Sequence, residues 1–314
     1  MRNIRTPVLG AALLALVMSA CAPGEGGSST PASAGTESQA AELPTVVIGS
    51  APFWESAVVA EIWAQALEDA GFTVERNLEL GPRDVTQPAL IADEINLIPE
   101  YIGGLLAQFY SGEPTPDVDA SLDALRTALE GDSLVAFEPT PGTDADGFAI
   151  RSETAEELGL ATMSDLAEVA GDLRWGVAQE CGDNPNCGPG LERVYGIDFA
   201  SLDVQTLAAC TTAIAEALNA DNIDVAQVCT TQPEIVAFNL VLLEDDLGLA
   251  PAQNLVPVLS QALADEGGEL LETTLNAVSE LLTTEALTEL GNAVIINGDS
   301  LADAAEQFLA DNGL

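Results

Sequence analysis

"TVVIGSAPFWESAVVAEIWAQALEDAG" (residues 45–71) contains the change of rhythm that decides how this chain folds. Residues 45–49 are apolar and β-branched, the composition of a buried strand. From residue 57 onward, apolar positions recur at steps of three and four, the period of an amphipathic helix. Between the two stands "SAPFWES" (50–56), which sets Phe53, Trp54 and Glu55 side by side where a strand hands over to a helix. Aromatic residues make up only 4% of the chain, so two adjacent rings beside a carboxylate call for a reason. Ser50 or Ser56 is placed to cap the helix, and amides at a helix start suit a ligand.

The alternation continues outward. "INLIPEY" precedes "GGLLAQFY", and "SLDALRTALEG" precedes "LVAFEPT". This is the rhythm of a doubly wound α/β sheet. "PTPGTDADG" (139–147) is a turn-rich break, after which strand "FAIRS" opens a second alternating series. A second break, "LGLAPAQN" (247–254), leads to strand "LVPVLS" and helices to the end. Two α/β lobes joined by two crossing segments fit this order better than one large sheet. The expected lobes are 43–145 with 253–314, and 146–252. Ligands in such architectures bind between the lobes, at strand C-terminal ends and helix N-termini.

Charge narrows the function. Asp and Glu number 51, Lys and Arg together eight, and His is absent, for a net charge of −43. Such a chain repels nucleic acid and anionic lipid and tolerates cations. Without histidine it lacks the commonest general base and metal ligand. There is no Gly-x-Ser-x-Gly stretch, phosphate loop or metal-ligand cluster, so no catalytic, cofactor or metal site is expected.

The N-terminus reads as an address. A basic "MRNIR", an apolar run of about 12 residues that is too short for a bilayer, and "MSAC" form a secretory signal over 1–21. Cys21 after two small residues resembles a bacterial lipobox, with Met18 where Leu is usual. That resemblance makes Cys21 the lipidated first residue of the mature protein. Residues 22–42, rich in Gly, Ser, Pro and Ala, read as a flexible tether. The body is then extracytoplasmic, at the bacterial plasma membrane or in the periplasm, with a lipid anchor its only membrane contact. In that oxidising compartment Cys181, Cys187, Cys210 and Cys229 allow three pairings. Pairs 181–187 and 210–229 are favoured, because the first closes a short polar loop. Zinc is the weaker alternative.

Several stretches carry a family resemblance: residues 45–71, "ADEINLIPEYIGGLL", "TDADGFAIR", "GPGLERVYGIDF", "LVLLEDDLGLAPAQNLVPVL" and "LLTTEALTELGNAV". From about Leu43 to Leu314 the body resembles the substrate-binding lipoproteins of bacterial osmoprotectant ABC transporters, the glycine betaine/carnitine/choline-binding family. The resemblance implies a type II periplasmic-binding-protein fold. It also implies a monomer that takes a small quaternary ammonium solute into an interlobe cleft and delivers it to permease subunits. Rings bind such a group by cation–π attraction, roughly 0.5–2 kcal/mol per contact. Carried over onto this sequence, Tyr101 in "PEYIGG" is the best cage residue. Phe148 stands at a position that is often aromatic, and Phe53, Trp54 and Glu55 form the first ligand loop.

The departures are specific. Gly104 ends "YIGG", where the family places a Thr after the glycine, and a hydroxyl is lost. Asn184 stands where many relatives place an Arg that clamps a ligand carboxylate. Gly188 replaces a frequent ring. In "VCTTQPEI", Cys229 takes another ring position, beside Thr230 and Thr231. If Cys229 borders the cleft, the pairing 210–229 calls for revision. A full aromatic box and a carboxylate clamp are both weakened, so choline stands level with glycine betaine. The alternatives are an amino acid or other polar solute on the same fold, or a sensor module that presents its ligand to a receptor.

Overall fold

The structure is a computed structural model that describes residues 43–314. The expected leader 1–21, Cys21 and the tether 22–42 lie outside the described residues.

The first lobe opens with β1 (Thr45–Gly49), α1 (Trp54–Asp69), β2 (Thr73–Asn77), α2 (Arg83–Ile91), β3 (Leu97–Tyr101), α3 (Ile102–Gln108), α4 (Val118–Leu129) and β4 (Leu134–Ala136). The chain then crosses into β5 (Asp146–Arg151), α5 (Ser152–Leu158), α6 (Met163–Ala167), β6 (Arg174–Val177), α7 (Gly188–Tyr195) and β7 (Asp203–Thr206). That lobe ends with α8 (Thr212–Asn219), β8 (Val225–Cys229), α9 (Glu234–Ala237) and β9 (Leu240–Leu242). After the return crossing come β10 (Leu255–Ser260), α10 (Gln261–Ser279, kinked at Gly268), α11 (Thr284–Gly291), a π-helical turn Asn292–Asn297 and α12 (Leu301–Asn312).

Two five-stranded sheets result, ordered β2-β1-β3-β10-β4 and β7-β6-β8-β5-β9. In each, one strand from across the break runs antiparallel between partners: β10 beside β3 and β4, and β5 beside β8 and β9. The crossing segments touch each other through an antiparallel bridge at Thr143 and Asn254, and the Asp144 N–H donates to the Gln253 carbonyl at 3.2 Å. This is the type II periplasmic-binding-protein architecture.

Each sheet is covered on both faces, which explains why its central strands are continuous apolar runs. Trp63 on α1 is fully buried with Val46, Ile48 and Leu271 on one face of the first sheet. Leu105, Leu125 and Val258 pack on the other. In the second lobe Trp175 is fully buried, and its Nε1 donates to the Ala170 carbonyl at 2.9 Å. The disulfides are Cys181–Cys187 and Cys210–Cys229.

Neither Ser50 nor Ser56 caps α1. Phe53 occupies the cap position without a side-chain bond. Ser56 Oγ instead accepts from Ala51 N at 2.9 Å and Ser50 Oγ from Glu79 N at 2.7 Å, so both serines hold the loop rather than the helix. Phe148 alternates inward on β5: its ring is 3% exposed and meets the Trp175 ring edge-on at 5.5 Å. Phe148→Ala is therefore expected to destabilise the protein by about 3–5 kcal/mol in urea unfolding, as removal of a core ring does. An unchanged unfolding midpoint would contradict that core role.

Candidate functional site

Four segments bring side chains together in the cleft. The turn into α1 supplies Phe53 and Glu55, the end of β3 supplies Tyr101, the first crossing supplies Asp144, and the turn after β8 supplies Thr231. The strand-to-helix junction decides this placement. With Phe53 at the cap, Glu55 falls in the first turn of α1 and is only 1% exposed. The Tyr101 hydroxyl donates to Glu55 Oε1 at 2.5 Å. The Phe53 and Tyr101 rings lie 6.0 Å apart, with planes inclined by 31°, and Phe53 reaches solvent at the mouth.

The electrostatics are unusual for buried acids. Glu55 Oε2 and Asp144 Oδ1 are both shielded from solvent and have no hydrogen-bond partner. Burial, with Asp144 nearby, pushes the Glu55 carboxyl up to about 8, against the bond from Tyr101 and the polar Thr231 hydroxyl nearby. Asp144 is also raised, chiefly by burial and further by Asp146, while Thr231 pulls it down. Tyr101 is held well above its ordinary value by burial and by the facing carboxyls. Among the described residues no ion pair reaches Glu55 or Asp144. The contrast is Glu100, next to Tyr101, whose Oε2 lies 2.8 Å from Arg83 Nη2 and whose Oε1 accepts from Gln87 at 2.8 Å.

Asp144 also borders a cavity of about 180 Å³ lined with Asp146, Asn186, Cys229 and Gln253. That is below the about 300–1,000 Å³ of sites for drug-sized ligands, so it suits a solute of a few heavy atoms. A groove of about 750 Å³ runs along α11 and α12, but none of the cleft residues lines it.

The remaining expected residues surround this centre. The Trp54 ring packs into the first lobe's core near Gly291, where the Pro233 ring from the other lobe also lies. The Gly104 N–H is held by Gln253 Oε1 at 2.9 Å, and a Cβ at Gly104 would stand 3.0 Å from Arg83 Nη2. Asn184 Oδ1 accepts from Asn186 N at 3.0 Å inside the Cys181–Cys187 loop. Thr230 Oγ1 accepts from Ala145 N at 3.0 Å and donates to the Thr143 carbonyl at 2.6 Å, fastening β8 to the crossing segment. Cys229 borders the cavity while paired with Cys210, so cleft proximity requires no other pairing. Asp146, Cys210 and Cys229 cluster closely, yet both sulfurs are spent in the disulfide. Asp144 and Gln253 were missed by the sequence reading. The signal for Asp144 is the pair of acids in "TDADG", which lies both in the turn-rich break and in the family-like stretch "TDADGFAIR".

Two α/β lobes with rings and acids gathered at their crossing segments form the architecture of a solute-binding protein. The family model for the substrate binding domain of ABC-type glycine betaine transport systems matches residues 44–311, and the chain belongs to that family. It is 25% identical over 284 residues to a glycine-betaine-binding protein of Pseudomonas aeruginosa, covering 87% of this chain and 90% of that one. It is 26% identical over 307 residues to the carnitine transport binding protein OpuCC of Listeria monocytogenes, covering 95% and 92%. A solved glycine betaine/carnitine/choline ABC transporter structure superposes with a TM-score of 0.78 at 25% identity, covering 85% of this chain and 98% of that one. Apo YehZ of Escherichia coli gives 0.78 at 22%, covering 86% and 99%.

The raised Glu55 predicts a pH signature. Between 4.5 and about 8 the folded protein holds a proton that the unfolded chain has released. The proton's stabilisation is complete below 4.5 and lost as pH rises through about 8. The melting temperature of the ligand-free protein should fall across that window. General acidic repulsion also grows with pH, so the comparison is with Glu55→Gln, which should fall less steeply. Parallel curves for the two proteins would contradict the assignment.

Proposed function

We propose that this extracytoplasmic solute-binding protein closes its lobes, 43–145 with 253–314 and 146–252, on a quaternary ammonium solute and presents it to the permease subunits of an ABC importer. The observation that carries this reading is the pair of rings, Phe53 and Tyr101, set beside buried Glu55. A trimethylammonium group has no strong hydrogen-bond donor. Ring faces attract its charge and tolerate its methyl groups. The relatives named for glycine betaine and carnitine handle solutes of that kind, and the family membership carries the transport role. Phe53, Glu55, Tyr101 and Thr231 touch the solute in this reading. Trp54, Gly104, Phe148, Asn184 and Thr230 shape the walls and the hinge. The protein acts as a monomer held at the membrane by a lipid on Cys21, and radiolabelled palmitate incorporation should be lost in Cys21→Ser.

Calorimetric titration with glycine betaine, choline and carnitine tests the reading. At least one should bind. Tyr101→Ala should weaken that binding by about tenfold or more, the equivalent of about 1.4 kcal/mol, with the melting temperature of the variant checked alongside. Tyr101→Phe keeps the ring face and should lose less. Unchanged affinity in Tyr101→Ala would remove the ring from the site.

A further inference from the structure

The quaternary ammonium reading leaves open whether the solute also carries a carboxylate, as glycine betaine does, or only a positive charge and a hydroxyl, as choline does. The cleft supplies the means to distinguish them. Its two central acids come from different parts of the fold, Glu55 from the first turn of α1 and Asp144 from the crossing segment. Each has one oxygen that is shielded and unpartnered. The groups facing the pair are acids and hydroxyls: Tyr101, Thr231 and, beyond Asp144, Asp146. Arg83, the cation nearest in sequence to Tyr101, is committed to Glu100 and Gln108. At Asn184 the side-chain oxygen holds its own loop through Asn186 N.

Resting on that reading, we propose that Glu55 and Asp144 form a two-carboxylate counter-charge that selects a small solute of net positive charge bearing a hydroxyl, and rejects its carboxylate-bearing analogue. Without a cation the shielded pair is relieved by the proton held on Glu55, and a fixed positive charge beside the two acids takes the place of that proton and leaves both as carboxylates. A hydroxyl on the solute gives one orphan oxygen the donor it lacks. A carboxylate brought to the same place meets like charge and no arginine. Rejection by an unpaired like charge is the usual way a site discriminates ligands that share most of their shape.

The test compares three ligands by calorimetry at one salt concentration: choline, glycine betaine and the uncharged choline isostere 3,3-dimethylbutan-1-ol. Choline should bind about tenfold or more tighter than glycine betaine, and the isostere should bind at least as weakly as betaine. Asp144→Asn, with its folding checked by thermal melting, should bring choline and betaine within about threefold of each other. Glu55→Gln gives the same comparison from the first turn of α1 if Asp144→Asn fails to fold. Betaine binding as tightly as choline would overturn the charge selection while leaving the quaternary ammonium reading intact. Isostere binding equal to choline would overturn it as well, because shape alone would then suffice. Failure of choline, betaine and carnitine all to bind would overturn both.

Discussion

The hydrogen bond from the Tyr101 hydroxyl to buried Glu55 is the interaction on which the cleft depends. It joins the end of β3 to the first turn of α1 and fixes the Tyr101 ring near Phe53. A single neutral donor does not compensate a buried carboxylate, which needs a paired charge or several bonds. Glu100, one residue before Tyr101, receives the full set: a guanidinium, an amide side chain and a backbone N–H. The same strand end thus carries one satisfied acid and points its neighbouring tyrosine at an unsatisfied one. The first is architecture; the second leaves free energy available to a cation.

The rest of the fold holds these groups in place. Each lobe has its own two-sided core. Between them run two strand-like crossings tied by few bonds, the kind of connection around which binding proteins hinge. Asp144 sits in one of those crossings, and Thr230 fastens the other lobe to it. The Cys210–Cys229 disulfide anchors the strand end that leads into Thr230 and Thr231. Glu55 and Asp144 belong to the first lobe and its crossing, and Thr231, from the turn after β8, is the group that reaches them from the second lobe.

Much of this was legible in the residues. The switch from two-residue to three-and-four-residue periodicity gave β1 and α1. The two breaks at 139–147 and 247–254 marked the crossings, and "PEYIGG" marked Tyr101. The disulfide pairs followed from compartment and loop length. Contacts set by tertiary packing were less legible. The alternation on β5 gives no sign of which face meets the cleft, and Phe148, expected at the ligand site, packs edge-on against Trp175. The serines flanking Phe53 have cap chemistry, but a loop that must turn toward β2 uses them first. Asp144 stood in a stretch whose Gly and Pro content masked its carboxylate, and its closeness to Glu55 is a relation across some ninety residues that no local pattern carries.

The most direct measurement is a crystal structure of the protein with choline bound. The account predicts the quaternary nitrogen against the Tyr101 and Phe53 faces, with Glu55 and Asp144 both turned toward it and the choline hydroxyl donating to one of them. Choline found outside the interlobe cleft, for instance in the groove along α11 and α12, would contradict it. So would choline bound in the cleft with neither carboxylate facing the ammonium group.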